Sequence, residues 1–300
     1  MQRINELLIT GANGFVGQSY LQYLDSLSEN ELPEQICLVS RNGTVNNIGA
    51  LQSKTKVRVV EADLELDWAF DFKATHIAHF AGDGTGNAYT NDSAEKFIKI
   101  VLNLKKWARS LDRPIIFFAS SGACYGGVNS NKSELIRSRL NGEHEMLDYH
   151  EKNILDLRIG RLFSFIGNFM IDKPQYAVTS LVDSALNNSS MIITGNPQNV
   201  RSYLNASDMS SWIHKSLQVD RVNQFLDIGS RDKLTILDLA KQISLITGAE
   251  VLEHPYLDKK EEYFAKNSNT LKILEVKETI SWQNSLQQYI NFVKESRLNA

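Results

Sequence analysis

Three glycines at a fixed spacing are the first residues of this chain with chemistry to offer. Glu6-Leu-Leu-Ile-Thr10-Gly11-Ala-Asn13-Gly14-Phe15-Val16-Gly17 is a short apolar run ending in glycines that are each separated by two residues. Such glycines permit a tight turn, let the backbone approach a pyrophosphate, and allow a following helix to pack on the strand before it. The N–H groups and positive dipole end of that helix then hold the anion. A second pair, Ser40-Arg41, closes the apolar run Ile36-Cys37-Leu38-Val39. A carboxylate there would bind the ribose 2′-hydroxyl of NAD, whereas a hydroxyl and a guanidinium suit a 2′-phosphate. NADP is therefore the expected cofactor, with NAD as the alternative. A third group, Ser120-Ser121-Gly-Ala-Cys124-Tyr125-Gly126, sets two hydroxyls, a thiol and a phenol at the end of another apolar run.

These groups need elements to hold them. Gly14 to about Ser28 has helical spacing, with Phe15, Val16, Tyr20, Leu21 and Leu24 on one face. The run at 36–39 reads as a strand, apolar throughout as a parallel strand buried on both faces is, and the runs at 57–61, 75–81, 114–119 and 154–159 read as further strands. Helical patterns lie between them at 92–110 and 133–149. This alternation predicts an α/β fold, a doubly wound parallel Rossmann sheet with right-handed crossovers. After Arg161 the pattern changes. Helices near 178–187, from 206, at 235–247 and at 286–296 mix with short strands near 191–194, 201–204 and 225–228. Residues 1–160 read as the dinucleotide-binding domain and 161–300 as a smaller substrate-binding α/β domain, some of whose strands return to the Rossmann sheet. With no linker rich in Pro, Gly or Ser between them, the halves are expected to share an interface.

Composition narrows the function. A net charge of −3 over 300 residues, without charge runs, argues against nucleic acid or an anionic membrane as partner. No apolar stretch approaches the ~20 residues of a membrane helix. The first residues lead straight into a strand, which predicts no signal peptide, and the two cysteines, Cys37 and Cys124, sit in apolar contexts. A cytoplasmic protein without disulfides or a metal site is expected.

In order along the chain, the motifs resemble those of the extended short-chain dehydrogenases/reductases that modify nucleotide-activated sugars. Thr10-Gly-Ala-Asn-Gly-Phe-Val-Gly17 is similar to their TGxxGFxG, Asp63-Leu64 to the adenine-contacting position, and His79-Phe80-Ala81, before the loop Gly82–Gly86, to their fourth-strand motif. Ser120–Gly126 resembles SSxxVYG, Leu157–Phe163 LRxxNVYGP, Val200–Leu204 with Asp208 RDYxxVxD, and Asp227–Ser230 NIGS. The resemblance implies Ser121 as the hydroxyl that polarises a sugar ketone, Arg201 as a diphosphate contact, and Arg161 as a group near the sugar. It also implies a homodimer built on a four-helix bundle of 92–110 and 133–149, with Phe97 and Trp107 on the surface turns. Tyr89, Phe163 and Trp212 are pocket-lining or core.

One motif departs. Arg137-Ser-Arg139-Leu-Asn-Gly-Glu143 is similar to RSKLxxE, which puts Arg139 where the family has its catalytic Lys and Leu135 where it has its proton-donating Tyr. Leucine transfers no proton, and arginine holds ribose but does not titrate as lysine does. Cys124, Tyr125, Glu143, His144 or a water is then a substitute acid, or Tyr149 with Lys152 is the pair in a shifted register, or the site is catalytically silent. The resemblance implies an NAD(P)-dependent 4-keto-sugar reductase. The alternatives are a cofactor- or sugar-nucleotide-binding protein and an epimerase with tightly held NAD.

Overall fold

Runs such as Leu7-Leu8-Ile9 are apolar at every position, so such a strand must be covered on both faces. A computed structural model describes residues 3–66, 68–69, 71–82, 91–126, 133–170, 175–220, 225–253 and 259–298. Its first half holds β1 (Glu6–Thr10), α1 (Phe15–Ser26), β2 (Gln35–Ser40), α2 (Gly49–Lys54), β3 (Lys56–Glu61), β4 (His76–His79), α3 (Asn91–Ala108), β5 (Ile115–Ser121), α4 (Ser133–Glu151) and β6 (Asp156–Leu162). The rest holds β7 (Ser164–Ile166), α5 (Ala177–Asn188), β8 (Ser190–Ile193), β9 (Val200–Asn205), α6 (Ala206–Gln218) and β10 (Phe225–Ile228). β11 (Lys233–Thr235), α7 (Ile236–Thr247), β12 (Glu250–Glu253), β13 (Glu262–Tyr263), α8 (Ser268–Leu274) and α9 (Trp282–Leu298) complete it.

Seven strands form a parallel sheet in the order β10-β6-β5-β4-β1-β2-β3. Alternate residues of each strand feed opposite layers. Leu7 and Ile9 pack with Tyr20, Leu21 and Leu24 of α1 and with Met209, Trp212 and Ile213 of α6. Leu8 packs in the other layer with Val101, Leu104 and Trp107 of α3 and Met146 of α4. The order reverses between β1 and β4, the crevice where open α/β sheets bind ligands. β10 pairs with β6, so the chain after residue 161 returns to the large sheet as its last strand. Fully buried Arg158 of β6 ties α6 to this edge, since it pairs with Asp156 and donates to the Ser216 and Val219 carbonyls at 3.1 and 2.9 Å. A third core, drawn from α5, α7 and α9, surrounds β8, β9 and β11.

Phe97 and Trp107 do not lie on outward turns. They are 2% and 8% exposed, and face Phe118 and Trp68 with ring centroids 6.1 and 5.5 Å apart. The apolar stripe of α3 is spent on the sheet of its own chain, which removes these two side chains from any dimer surface. Trp212 is wholly core, and Tyr89 with the loop 83–86 lies outside the described residues. Among the described residues no helix is long and apolar enough to cross a membrane, and no cluster of His, Cys, Asp and Glu could hold a metal. Both cysteines are buried and unpaired, and burial pushes the Cys37 thiol up to about 11.

Three buried histidines bear on stability. His79 shares a 2.8 Å hydrogen bond with Thr10, His214 one of 3.0 Å with Tyr20, and His76 one of 2.9 Å with Thr75. Burial lowers their pKa to about 4 for His76, about 3 for His79 and about 4 for His214, aided at His76 by Arg158 and at His79 by Arg139. Between those values and ~6.5 the unfolded chain binds more protons than the folded one, so stability rises with pH across that window and is lost as pH falls through it. Each histidine contributes up to about 1.4 kcal/mol per pH unit there. Urea midpoints measured at intervals from neutrality down to about pH 5 should fall steadily, and a flat profile contradicts the assignment.

Candidate active site

At the β1–β4 crevice two backbones meet more closely than side chains allow. Gly11 has φ +70°, and a Cβ there would stand 2.7 Å from the Ala81 nitrogen and the Phe80 carbonyl carbon. A Cβ on Gly17 would overlap the Gly11 carbonyl oxygen, and one on Gly14 would come within 3.3 Å of it. The Gly14 nitrogen donates to Gly11 at 3.0 Å, and Gly14 begins α1 without a side-chain cap. A helix start presented bare beside a glycine turn is a place for a pyrophosphate.

The loop after β2 is fastened to this turn. The Asn13 side chain donates to the Thr44 carbonyl at 2.9 Å and accepts from the Asn46 nitrogen at 3.1 Å. Gln18 donates to the Ala12 and Asn46 carbonyls at 2.9 and 3.1 Å and accepts from Asn47 at 2.8 Å. The Ser40 hydroxyl donates to Asn42 at 2.7 Å, Arg41 is exposed, and the Glu61 carboxylate reaches to 3.1 Å from a Cβ built on Gly43. Asp63 accepts from the Glu65 nitrogen at 3.0 Å, and Leu64 is buried in the core. Phe15, Val16 and Phe80 pack on the first core layer. On the other side of the crevice Arg139 lies over the Phe97 ring at 3.9 Å, with its guanidinium 3.0 Å from a Cβ built on Gly82. The turn, the bare helix start, the clamped loop and Arg139 fit a dinucleotide.

β5 ends next to this crevice in a chain of hydrogen bonds. The Ala123 nitrogen donates to the Ser121 hydroxyl at 3.2 Å. The Tyr263 hydroxyl donates to the Leu162 carbonyl at 3.2 Å. Leu162 is the register partner of Ser121 on β6, which is why a hydroxyl held at the one lies beside the other. The Tyr263 ring packs against Phe163 at 5.1 Å, and Phe163 in turn fills the space above Gly122, 2.5 Å from where a Cβ would stand. Tyr263 escaped the sequence reading because β13 has two residues, too few to show a period.

Behind Ser121 is a buried ion pair. Glu143, 2% exposed, accepts from the Ser120 hydroxyl at 2.5 Å and from Arg161 Nε and Nη2 at 3.1 and 2.7 Å. Arg161 also lies between the Tyr125 and Phe225 rings, at 4.4 and 4.5 Å. Burial works to lower the Arg161 pKa, but its bonds to Glu143 and the opposing charge outweigh it and the net direction is up. Cys124 lies 3.7 Å from Ser120, and burial with the Glu143 charge beside it holds the thiol protonated. Tyr125 donates to Asp227 at 2.7 Å, and His144 is exposed. Arg201 donates to the Val200 carbonyl at 2.9 Å, meets Glu261 at 3.4 Å, and stands 6.0 Å over the Tyr263 ring. Leu135 is half-buried on the first turns of α4. Tyr149, capped by Lys105 at 4.3 Å, is farther along the same helix by fourteen residues, about 21 Å. Lys152 pairs with Asp148.

The seven-stranded parallel sheet with its flanking helices is a Rossmann-like α/β fold. Residues 7–229 match the NAD dependent epimerase/dehydratase family, and the chain belongs to that family. It is 22% identical over 275 residues to a dTDP-D-glucose 4,6-dehydratase of Dictyostelium discoideum, across 80% of this chain and 62% of that protein. It is 23% identical over 266 residues to UDP-glucuronic acid decarboxylase 6 of Arabidopsis thaliana, across 82% and 75%. The chain thus spans less than two thirds of the first of these relatives. Among solved structures, UDP-glucuronic acid 4-epimerase from Bacillus cereus in complex with NAD is similar with a TM-score of 0.81, 19% identity and 98% of each chain covered. The dTDP-glucose 4,6-dehydratase of Streptomyces venezuelae, also with NAD bound, has a TM-score of 0.78, 19% identity and 97% of each chain covered.

The Glu143–Arg161 pair makes a prediction of its own. Arg161→Met leaves a buried carboxylate without its cation and should cost about 3 kcal/mol. Adding Glu143→Gln should recover most of that loss, and urea denaturation of the single and double variants checks both values.

Proposed function

We propose that the protein is a cytosolic NADPH-dependent reductase of a nucleotide-activated 4-keto sugar. The observation that carries this reading is the Ser121 hydroxyl at the end of β5, oriented by the Ala123 nitrogen and next to the crevice formed by Gly11, Ala81 and Gly82. Bound there, the reduced dinucleotide would supply a hydride. Gly11, Gly14 and Gly17 would leave room for its pyrophosphate, Asn13 would hold the loop that meets its adenosine end, with Asp63 on the adenine, and Arg139 would hold ribose. Ser121 would polarise the ketone by donating to an oxygen that gains negative charge, a bond that strengthens toward the transition state. Arg201, on the lobe over the strand ends, offers a planar pair of donors for a diphosphate. A homodimer through the outer faces of α3 and α4 belongs to the same reading.

Leu135 favours a second reading. Without a phenol at that position, the protein is a dinucleotide- or sugar-nucleotide-binding member of its family that performs no redox step. Loss of NADPH absorbance with dTDP- and UDP-linked 4-keto sugars decides between the two. Turnover by the wild type, reduced by about 10²–10³-fold in kcat in Ser121→Ala with dinucleotide affinity unchanged, supports the reductase. Tight dinucleotide binding with no consumption across the panel supports the binding protein.

The NADP preference rests on Arg41, the exposed cation on the clamped loop after β2. Arg41→Ala should weaken NADPH binding by about 10-fold and leave NADH within twofold, as read by titration of nicotinamide fluorescence. Tighter binding of NADH than NADPH by the wild type overturns that preference and makes Glu61 the ribose-facing acid.

A further inference from the structure

Resting on the reductase reading, we propose that Tyr263 is the proton donor to the substrate carbonyl and supplies the phenol that position 135 lacks. The sequence offers four other acids near Ser121; three are held by other side chains and the fourth is exposed. Glu143 is locked by Ser120 and both nitrogens of Arg161, Cys124 faces Ser120, Tyr125 donates to Asp227, and His144 is exposed. The Tyr263 hydroxyl instead stands at the strand end that carries the group polarising the ketone. It donates to the carbonyl of Leu162, the residue paired with Ser121 across the sheet.

Its place is fixed without substrate. Tyr263 pairs with Arg201 in the register of β13 on β9, the preceding Glu261 accepts from the Val200 nitrogen at 2.8 Å, and the ring lies on Phe163. An acid held this way needs only rotation about its C–O bond to turn from the Leu162 carbonyl to a substrate oxygen that Ser121 also touches. Burial pushes the phenol up to about 12, so at neutral pH it carries the proton a reduction consumes. In the step, the reduced dinucleotide would supply a hydride to the carbonyl carbon, and the π electrons would move to oxygen. That oxygen bonds to the Tyr263 proton as the phenol O–H bond breaks. The phenolate regains a proton from solvent, so each turnover oxidises one dinucleotide and converts one ketone to an alcohol.

Tyr263→Phe keeps the ring and removes the hydroxyl, and two measurements test it. With oxidised dinucleotide bound, calorimetric affinity for dTDP- and UDP-linked 4-keto sugars should fall about 5-fold, the worth of one neutral hydrogen bond, while affinity for dTDP or UDP stays within twofold. With reduced dinucleotide, kcat should fall at least about 10²-fold with KM changed far less. Equal affinities for keto sugar in variant and wild type, or parallel loss of keto sugar and nucleoside diphosphate, overturn the proposal. So does turnover by the variant within about threefold of a wild type that reduces the ketone, and that result leaves the reductase reading standing. A wild type that consumes no dinucleotide ends the reductase reading, while the selective loss of keto-sugar affinity still decides the contact. A wild type that binds none of the keto sugars ends both.

Discussion

The structure depends on one close approach, the contact between the backbone at Gly11 and the backbone at Phe80–Ala81. A methyl group at Gly11 would sit 2.7 Å from peptide atoms of the neighbouring strand end, well inside any tolerable separation. The same carbonyl, Gly11 O, is what a side chain at Gly17 would strike, so one peptide group limits the strand end, the turn and the first turn of α1 together. β1 and β4 are neighbours in the sheet and stay in register up to this point, with Thr10 opposite His79. The Thr10–His79 hydrogen bond and the Ala81 nitrogen bonded to Thr10 at 3.3 Å close the gap from inside. The close approach leaves no room for side chains at Gly11 or Gly17, so backbone meets backbone at the head of α1.

Polar groups behind the strand ends are arranged on a different principle. Glu143 and Arg161 are buried in a setting where an isolated charge is costly, and they persist because each satisfies the other and Ser120 takes up a remaining lone pair. The arginine plane is held between two aromatic rings, which fixes Tyr125 as well. The consequence for Ser121 is indirect: the residue before it is anchored by a short bond to a carboxylate, so the strand end has little freedom to drift.

Much of this was legible in the sequence, for reasons that differ by residue. Gly11, Gly14 and Gly17 were readable because their role is steric and local, so spacing alone encodes it. The capping box of Thr235 and Asp238 and the left-handed Gly248 bracket α7 at the limits its spacing suggests. Periodicity placed Phe97 and Trp107 on one side of α3 without saying which neighbour that side would meet, and the sheet of the same chain proved to be that neighbour. β7, β11, β13 and α8 are two to seven residues long, shorter than any window that reveals a period. Ser121 was legible at a strand end, but Tyr263, which bonds the carbonyl of its register partner Leu162, lies 142 positions away and is brought there only by the pairing of β13 with β9.

The return of β10 to the large sheet has a consequence for how the two halves are held together. After β6 the chain leaves for β7, re-enters through α6 and β10, and leaves again for β11. The two halves are stitched rather than hinged, because the chain crosses between the large sheet and the smaller ones three times. Each crossing is a main-chain link, so the placement of the smaller sheets against the large one is set once, when the chain folds.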